Sequence, residues 1–378
     1  MPALVFPDMP LVSPVTGRAL AHDTPHSLAA PGERWPVVDG IPYLRVDSEG
    51  LAAVALDHLD AGCPDDALVA LLTDQDAWWT GPATDLTELK RLVRERDTLS
   101  LREAMALLRL GPVADYFAYR WSDPTYLAGL ALLETHGSAP GSAFELACGI
   151  GHYLRELTRR GTECLGADVV FAKCWLAKKW VAPDARYVVF DAAAPWPIAD
   201  ARFDLVMCHD AFYFLPDQPR VAARLRAART AGGTLAISHL HNAGHAAGAM
   251  GPALSAAGWA ALFLDARVYD ERVLLDALMT CATPTPSGWT EDPSVEAWSL
   301  VEGAGAPRPV VKGLALPPAE ATLRRNPLID ADGAVHWPSP RYHAEYGGGC
   351  YWAMATDARP FAANDVRLRR LVDLPERW

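Results

Sequence analysis

The chain has 378 residues, 51% of them apolar, and a formal net charge of −12. That is enough for a large core and more than one domain. No basic run stands out, which argues against a nucleic-acid binder, whose affinity comes mostly from neutralised phosphates. The opening stretch MPALVFPDMPLVSPVTG has no basic segment and no long apolar run, so no signal peptide is expected. No window nears about 18 uninterrupted apolar residues, so no membrane span is expected either. The cysteines (Cys63, Cys148, Cys164, Cys174, Cys208, Cys281 and Cys350) are scattered, without a CxxC pair. They fit reduced thiols in the cytoplasm rather than a disulfide frame or a zinc site.

In chain order, residues 10–45 read as short strands broken by Gly and Pro, with Asp39-Gly40 as a turn. Residues 50–136 carry apolar residues at spacings of three and four and read as helices, one of them starting near Thr98 to Ser100. DPTYLAGLALLETHG adds a helix with Asp123 as N-cap, Pro124 at its first position and Gly137 past its end. After Gly141, strands and helices alternate. AFELAC, CLGADVV, ARYVVFDA, FDLVMCHDAF and GGTLAISHLHN are the strands, and the intervening helices make βαβ units of a parallel sheet. Residues 258–345 are rich in Pro and Trp, and GCYWAMAT, 349–356, reads as a late strand.

The chemistry is expected at FELACGIGHY, 144–153, where an acid ends the first strand and a glycine-rich loop follows. A loop without side chains lets the backbone lie close to a ligand. A dinucleotide site asks for G-x-G-x-x-G, but Leu154 stands where the third glycine belongs. The stretch instead resembles motif I of the class I S-adenosylmethionine-dependent methyltransferases, acid-x-G-x-G-x-G, with Ala147 in place of the first glycine. The resemblance runs on to about residue 245 through Asp168, which stands 23 residues after Glu145, Asp191, ARFDLVMCHDAFYFLPD and AGGTLAIS. It implies a Rossmann-like, doubly wound, mostly parallel α/β sheet with S-adenosylmethionine as cofactor. Cofactor residues implied are Glu145, Ala147, Gly149 and Gly151 of the loop, Asp168 on the ribose, and Asp191 and Ala192 on the adenine. Arg120 is expected on the methionine carboxylate, and His209 beside the cofactor.

The acceptor is expected over the carboxyl ends of the strands. His209 and Tyr213 leave the fourth strand together with Cys208, Asp210 and Phe212, and His239, His241 and His245 leave the fifth. His239, His241, His209 and Tyr213 are the catalytic candidates. An imidazole near its normal pKa of about 6.5 suits a general base. His239, His241 and His245 could also form a three-nitrogen metal site, but three histidines in seven residues equally suit a polar pocket lip, and no metal is expected. Asp204 is expected to anchor a strand edge, and Cys148 to pack. Tyr116, Tyr119, Tyr213, Arg325, Tyr342 and Tyr346 are the substrate candidates, with Arg324, His343 and Glu345 nearby.

SPVTGRAL…WPVVDGIPYLR resembles the small Trm112-like zinc-ribbon modules, with Ser13 and Thr16 at the cysteine positions. The resulting division is a β-rich Trm112-like segment (1–47), a helical region covering the cofactor site (48–138), a methyltransferase core (139–257 and 346–378) and an insertion forming the acceptor lid (258–345). The function expected is methyl transfer to a small molecule, possible in specialised metabolism. The rivals are an RNA methyltransferase and a catalytically silent partner subunit. Neither nucleic acid nor membrane is expected as a partner, and the sequence leaves the oligomeric state open.

Overall fold

The computed structural model describes residues 10–46, 48, 50–75, 81, 83–136, 140–198, 201–245, 253–310, 314, 317–347 and 371–378. The strand expected at 349–356 and the glycine expected to end the helix at 137 lie outside these residues.

The N-terminal strands β1 (Ala21–Thr24), β2 (Ser27–Ala30), β3 (Glu33–Val38) and β4 (Ile41–Pro42) form an antiparallel four-stranded sheet, turned at Asp39 and Gly40. Ser13 and Thr16 both donate to Glu33, at 2.5 Å to Oε2 and 2.5 Å to Oε1 respectively, and Trp35 Nε1 adds a third bond at 3.2 Å. The Ser13 hydroxyl in turn accepts the backbone N–H groups of Val15 and Thr16 at 3.0 Å. One carboxylate therefore ties the first loop to the start of β3.

Six helices follow: α1 (Leu51–Asp60), α2 (Pro64–Leu72), α3 (Leu86–Glu95), α4 (Leu101–Leu107), α5 (Pro112–Tyr119) and α6 (Pro124–His136). Asp85 caps α3 through the amides of Thr87 and Glu88, and Ser100 with Glu103 forms a capping box on α4. Asp123 accepts from Tyr126 N at 2.7 Å and fixes the start of α6, as its position before Pro124 predicts. α6 is buried on nearly every side, which explains its lack of an amphipathic stripe.

The core alternates β5 (Ser142–Leu146), α7 (His152–Thr158), β6 (Glu163–Asp168), α8 (Phe171–Leu176), β7 (Arg186–Val189), β8 (Phe203–His209), α9 (Gln218–Ala227) and β9 (Arg229–His241). After α10 (Ala256–Leu262) come β10 (Arg267–Asp270), α11 (Glu271–Thr280) and β11 (Ala297–Glu302). The seven strands run β10-β11-β9-β8-β5-β6-β7. β5 to β9 are parallel, β11 is antiparallel to β9, and β10 is antiparallel to β11. The sheet thus takes its last two strands from 267–302, inside the stretch expected as an insertion. Short strands of four and six residues among prolines gave too weak an alternation to be read as sheet. The remaining described elements are β12 (Arg324–Arg325), α12 (Pro340–Tyr346) and β13 (Leu371–Val372), with β12 paired to β13. Asp204, at the start of β8, accepts from Ser142 N at 3.1 Å and ties together the starts of β5 and β8.

The Glu33 tie is made of oxygen groups, so a chelator should leave the unfolding midpoint unchanged. Glu33→Ala should lower stability by about 2 kcal/mol in urea denaturation, because three partners lose a part-buried charged acceptor. A midpoint that falls with chelator, or is indifferent to the substitution, would refute the tie.

Candidate active site

The loop after β5 is built from left-handed backbone. Ala147, Gly149 and Gly151 have φ of 56°, 53° and 80°. Alanine tolerates this at a cost of about 1 kcal/mol, so the loop keeps its shape without its first glycine. A Cβ on Gly149 would come within 3.1 Å of the Phe117 ring, so the glycine lets α5 lie against the loop. A Cβ on Gly151 would meet Tyr187 Oη at 3.0 Å.

Glu145 ends β5 in a buried position, and its Oε2 has no hydrogen-bond partner among the described residues. Burial pushes its carboxyl well above the usual range, with Arg120 opposing and Asp168 reinforcing. Asp168 ends β6 and holds the loop. Its Oδ2 accepts from Gly149 N at 3.0 Å and its Oδ1 from Val170 N at 3.0 Å. Asp191 follows β7 and accepts from Ala193 N at 2.8 Å, beside buried Ala192. These residues come together at the carboxyl ends of neighbouring strands, as the sequence pattern predicts. Cys148 packs in the same loop as a buried thiol, its pKa pushed up by burial.

Over this loop sits a buried polar hub that sequence reading did not assign. Asp210, directly after β8 with φ 51°, accepts from Tyr116 Oη at 2.8 Å, Arg120 Nη1 at 3.0 Å and Tyr213 Oη at 2.9 Å. Burial alone would raise its pKa, but His239 and Arg120 outweigh it and hold the group at about 2. Arg120 also lies 3.6 Å from Asp123 and over the Tyr116 ring at 4.6 Å. It also donates to Thr125 Oγ1 at 3.3 Å, so the guanidinium links α5, the start of α6 and the exit of β8. His209 bonds Ser238 Oγ at 2.8 Å through Nδ1 and leaves Nε2 without a described partner. Burial, then Arg120, lowers its pKa to about 3.

The two histidines of β9 differ. His239 sits in a β-bulge. The register passes from Trp298↔Leu240 to Leu300↔Ile237, so Ser238 and His239 of β9 face Ser299 of β11 alone, and His239 has φ 59°. Glu271, the first residue of α11, takes both products of the bulge: its Oε1 accepts His239 N at 2.8 Å and its Oε2 meets His239 Nδ1 at 2.7 Å. Ser299 Oγ donates to the same carboxylate at 2.8 Å. Burial opposes the charged ring, but Glu271 and Asp210 outweigh it and raise the His239 pKa to about 10. His241 is the reverse. Burial and the neighbouring His239 lower it to about 3. Neither ring is shifted toward the near-neutral value that suits a general base: the carboxylates favour the imidazolium at His239, and burial favours the neutral ring at His241. The rings lie 4.6 Å apart, and His241 meets Tyr213 at 4.5 Å. His245 points elsewhere, its Nδ1 on Pro293 O at 3.0 Å. Among the described residues no group of three His, Cys, Asp or Glu is placed to hold a metal.

The substrate candidates divide. Tyr116 and Tyr213 meet at Asp210. Tyr119 turns the other way, packing on Tyr342 at 6.0 Å and Trp378 at 5.8 Å. Tyr342 and Tyr346 are buried against each other at 4.6 Å, and His343 stacks on Trp337 at 4.8 Å. Arg325 is exposed, donating to Asp330 O at 3.0 Å. Tyr342 and Tyr346 join the same buried core as Phe117, Ile150 and Tyr153 beside the glycine loop, while Arg325 lies on the surface. The side chain of Glu345 lies outside the described residues.

Residues 144–237 match the family model described as a methyltransferase domain. Among solved structures, the chain is similar to a Pyrococcus horikoshii protein at 24% identity, over 26% of this chain and 45% of that one, with TM-score 0.24. It is also similar to a chain of the complex between the Haloferax volcanii Trm112 methyltransferase activator and a methyltransferase (18% identity, 51% and 92% covered, TM-score 0.37). A third is Haemonchus contortus phosphoethanolamine N-methyltransferase 2 with phosphomonomethylethanolamine and S-adenosylhomocysteine (17% identity, 56% and 61% covered, TM-score 0.39). The match thus spans under half of the Pyrococcus protein's length. No curated protein matches the sequence. The sheet and the matched segment define the class I, Rossmann-like methyltransferase fold. Residues 144–237 thus carry a methyltransferase domain, for which the motif resemblance implies S-adenosylmethionine as cofactor. Glu145 fits that group: its buried Oε2, without a partner among the described residues, calls for a polar donor there.

The histidine pairing has a pH signature. His239's folded pKa of about 10 lies above its unfolded value, so its pairing stabilises fully below about pH 6.5 and the gain is lost as pH rises through 10. His241, held down at about 3, loses stability as pH falls from about 6.5 toward that value. An NMR titration should find one imidazole still protonated near roughly pH 9, and Glu271→Gln should return it toward about 6.5. A wild-type protein whose histidines all titrate close to about 6.5 would contradict the pairing.

Proposed function

We propose that the protein transfers the methyl group of S-adenosylmethionine to a small-molecule acceptor seated at the exits of β8 and β9. The observation that carries this is a pair of buried, unpaired polar atoms, Glu145 Oε2 and His209 Nε2, on the paired strands β5 and β8 beneath α5. An ammonium group there would donate to both, which is what the methionine end of the cofactor offers. Asp168 and Asp191 would accept from its ribose and adenine.

Bound cofactor supplies a methyl that is already electrophilic. The chain's task is alignment and exclusion of water. Tyr116 and Arg120 fix Asp210, and Asp210 fixes the Tyr213 hydroxyl at the acceptor side. His241, neutral and partly exposed beside Tyr213, can accept a hydrogen bond from the acceptor but is too weak a base to keep its proton. His239, charged and held by Glu271, orients or polarises instead. A few polar groups among aromatic walls suit a small molecule, and the acidic chain does not suit RNA.

The N-terminal sheet we read as a metal-free relative of the Trm112-like modules, its Ser13 and Thr16 converging on Glu33. That feature favours an RNA methyltransferase or a partner subunit as the second reading. The buried thiols Cys148, Cys164, Cys174 and Cys208 fit the cytoplasm. Among the described residues no helix is long and apolar enough to cross a membrane.

Calorimetry should show S-adenosylhomocysteine binding at roughly micromolar affinity, about −8 kcal/mol. Asp168→Ala should weaken it by about 2 kcal/mol or more, roughly thirtyfold. An unchanged Kd would make Asp168 a loop pin alone. With methyl-labelled cofactor, label should pass to a small-metabolite fraction. Label passing only to bulk RNA would favour the second reading, and no binding at all would favour the silent subunit.

A further inference from the structure

The segment after the N-terminal sheet, IPYLRV at 41–46, lies along the free edge of the seven-stranded sheet. Tyr43 forms a parallel bridge with Val189 of β7, and Leu44 N donates to Val189 O at 2.8 Å. The two side chains go to opposite faces, as successive strand residues must. Tyr43 packs on Phe171 at 6.3 Å, and Leu44 joins the core holding Phe144 and Phe190. Because the bridge is parallel, the residue two places after Tyr43 is level with the residue two places after Val189. Arg45 is thereby brought level with Asp191, at the carboxyl edge of the sheet.

Its guanidinium then reaches the neighbouring loop. Arg45 Nη1 donates to Val169 O at 3.4 Å, and Val169 directly follows Asp168. The same nitrogen is held by Asp74 Oδ1 at 2.5 Å and Gln75 O at 3.0 Å at the end of α2. Asp74 is buried and is fixed in turn by Tyr43 Oη at 3.0 Å. Every side-chain hydrogen bond of Arg45 to a described residue leaves from Nη1. The Nε and Nη2 edge makes none among the described residues, on a side chain 18% exposed.

We propose that Arg45 is a positioning residue for the nucleoside half of the cofactor, set by the N-terminal segment between the loops of Asp168 and Asp191. The proposal rests on the methyltransferase reading above. Lys173 already stands 3.6 Å from Asp168, so Arg45, paired with Asp74, contributes oriented donors beside the nucleoside rather than net charge. A guanidinium edge offers planar donors to ring nitrogens or hydroxyl oxygens. The sheet edge supplies the placement, and Asp74 keeps the head group from folding onto either acid.

The test is calorimetry on the full chain with S-adenosylhomocysteine, methylthioadenosine and methionine as probes. Arg45→Gln should weaken S-adenosylhomocysteine and methylthioadenosine alike, by about tenfold. Any methionine affinity should stay the same, because only the nucleoside half is affected. Arg45→Lys, which keeps the charge but loses the planar edge, should recover little of the loss. Asp74→Asn, which frees the guanidinium without removing it, should fall between wild type and Arg45→Gln. A structural role alone would lower the melting temperature and leave these Kd values unchanged well below it, and that result overturns the proposal. If Arg45→Gln does not fold, the lysine and Asp74 variants decide in the same way. Wild-type protein that binds neither nucleoside probe overturns the methyltransferase reading together with the inference. Wild-type binding with indifferent variants overturns the inference alone.

Discussion

The site depends on one buried carboxylate. Asp210 joins three elements that no local sequence rule connects: α5 through Tyr116, the turn after α5 through Arg120, and the exit of β8 through Tyr213. Burying such a group is expensive unless its lone pairs are filled by donors and its charge is met. Here both conditions hold, with Arg120 and His239 supplying the charge. Arg120 needs its own counter-charges and has two, Asp210 and Asp123. Removing any one member leaves another charged and buried, so these residues act as a unit and single substitutions there will not add.

The bulge at His239 extends the same logic to the next strand. An extra residue in β9 strips an N–H of its ladder partner, and Glu271 restores it. The repair also fixes which ring nitrogen faces the carboxylate, so the imidazole has one orientation. Two histidines two residues apart, which regular pleating would treat alike, thereby acquire opposite charge states at neutral pH. The difference comes from a carboxylate 32 residues away in sequence and from a backbone irregularity. No spacing argument reports either.

That contrast marks what the sequence could reveal. The glycine loop, Glu145, Asp168 and Asp191 were legible because each sits at a strand end, and strand ends follow from alternation. Their positions depend on local pattern and on the order of the sheet. Tyr116 and Tyr213 were found by composition, but so were Tyr119, Tyr342 and Tyr346, which the structure packs together in the core. Aromatic density does not distinguish a pocket wall from a core. β10 and β11 were missed because their strands are short and joined through a proline-rich stretch. Asp210 was visible as a neighbour of His209, but its role needed α5 to be folded over it.

The segments outside the sheet share one mechanical task. Loops at strand ends are the least stable part of an open sheet, and a ligand that must order them binds more weakly. At the outer edge, Tyr43 and Leu44 fasten β7 just before Asp191. On the opposite side, the last residues strap α5 to α7. Asp373 pairs with Arg155 at 3.0 Å and with Arg159, and Trp378 donates to Ala118 O at 2.7 Å. α7 begins at the glycine loop and α5 covers it, so this strap fixes the cover relative to what it covers. The sheet places Glu145, Asp168 and Asp191 at its strand ends, and α5 and the β9 bulge shape the exits of β8 and β9. Differences in acceptor preference among chains sharing this sheet would then arise in those two elements, where a shift of one turn or one bulged residue changes which polar group faces the methyl.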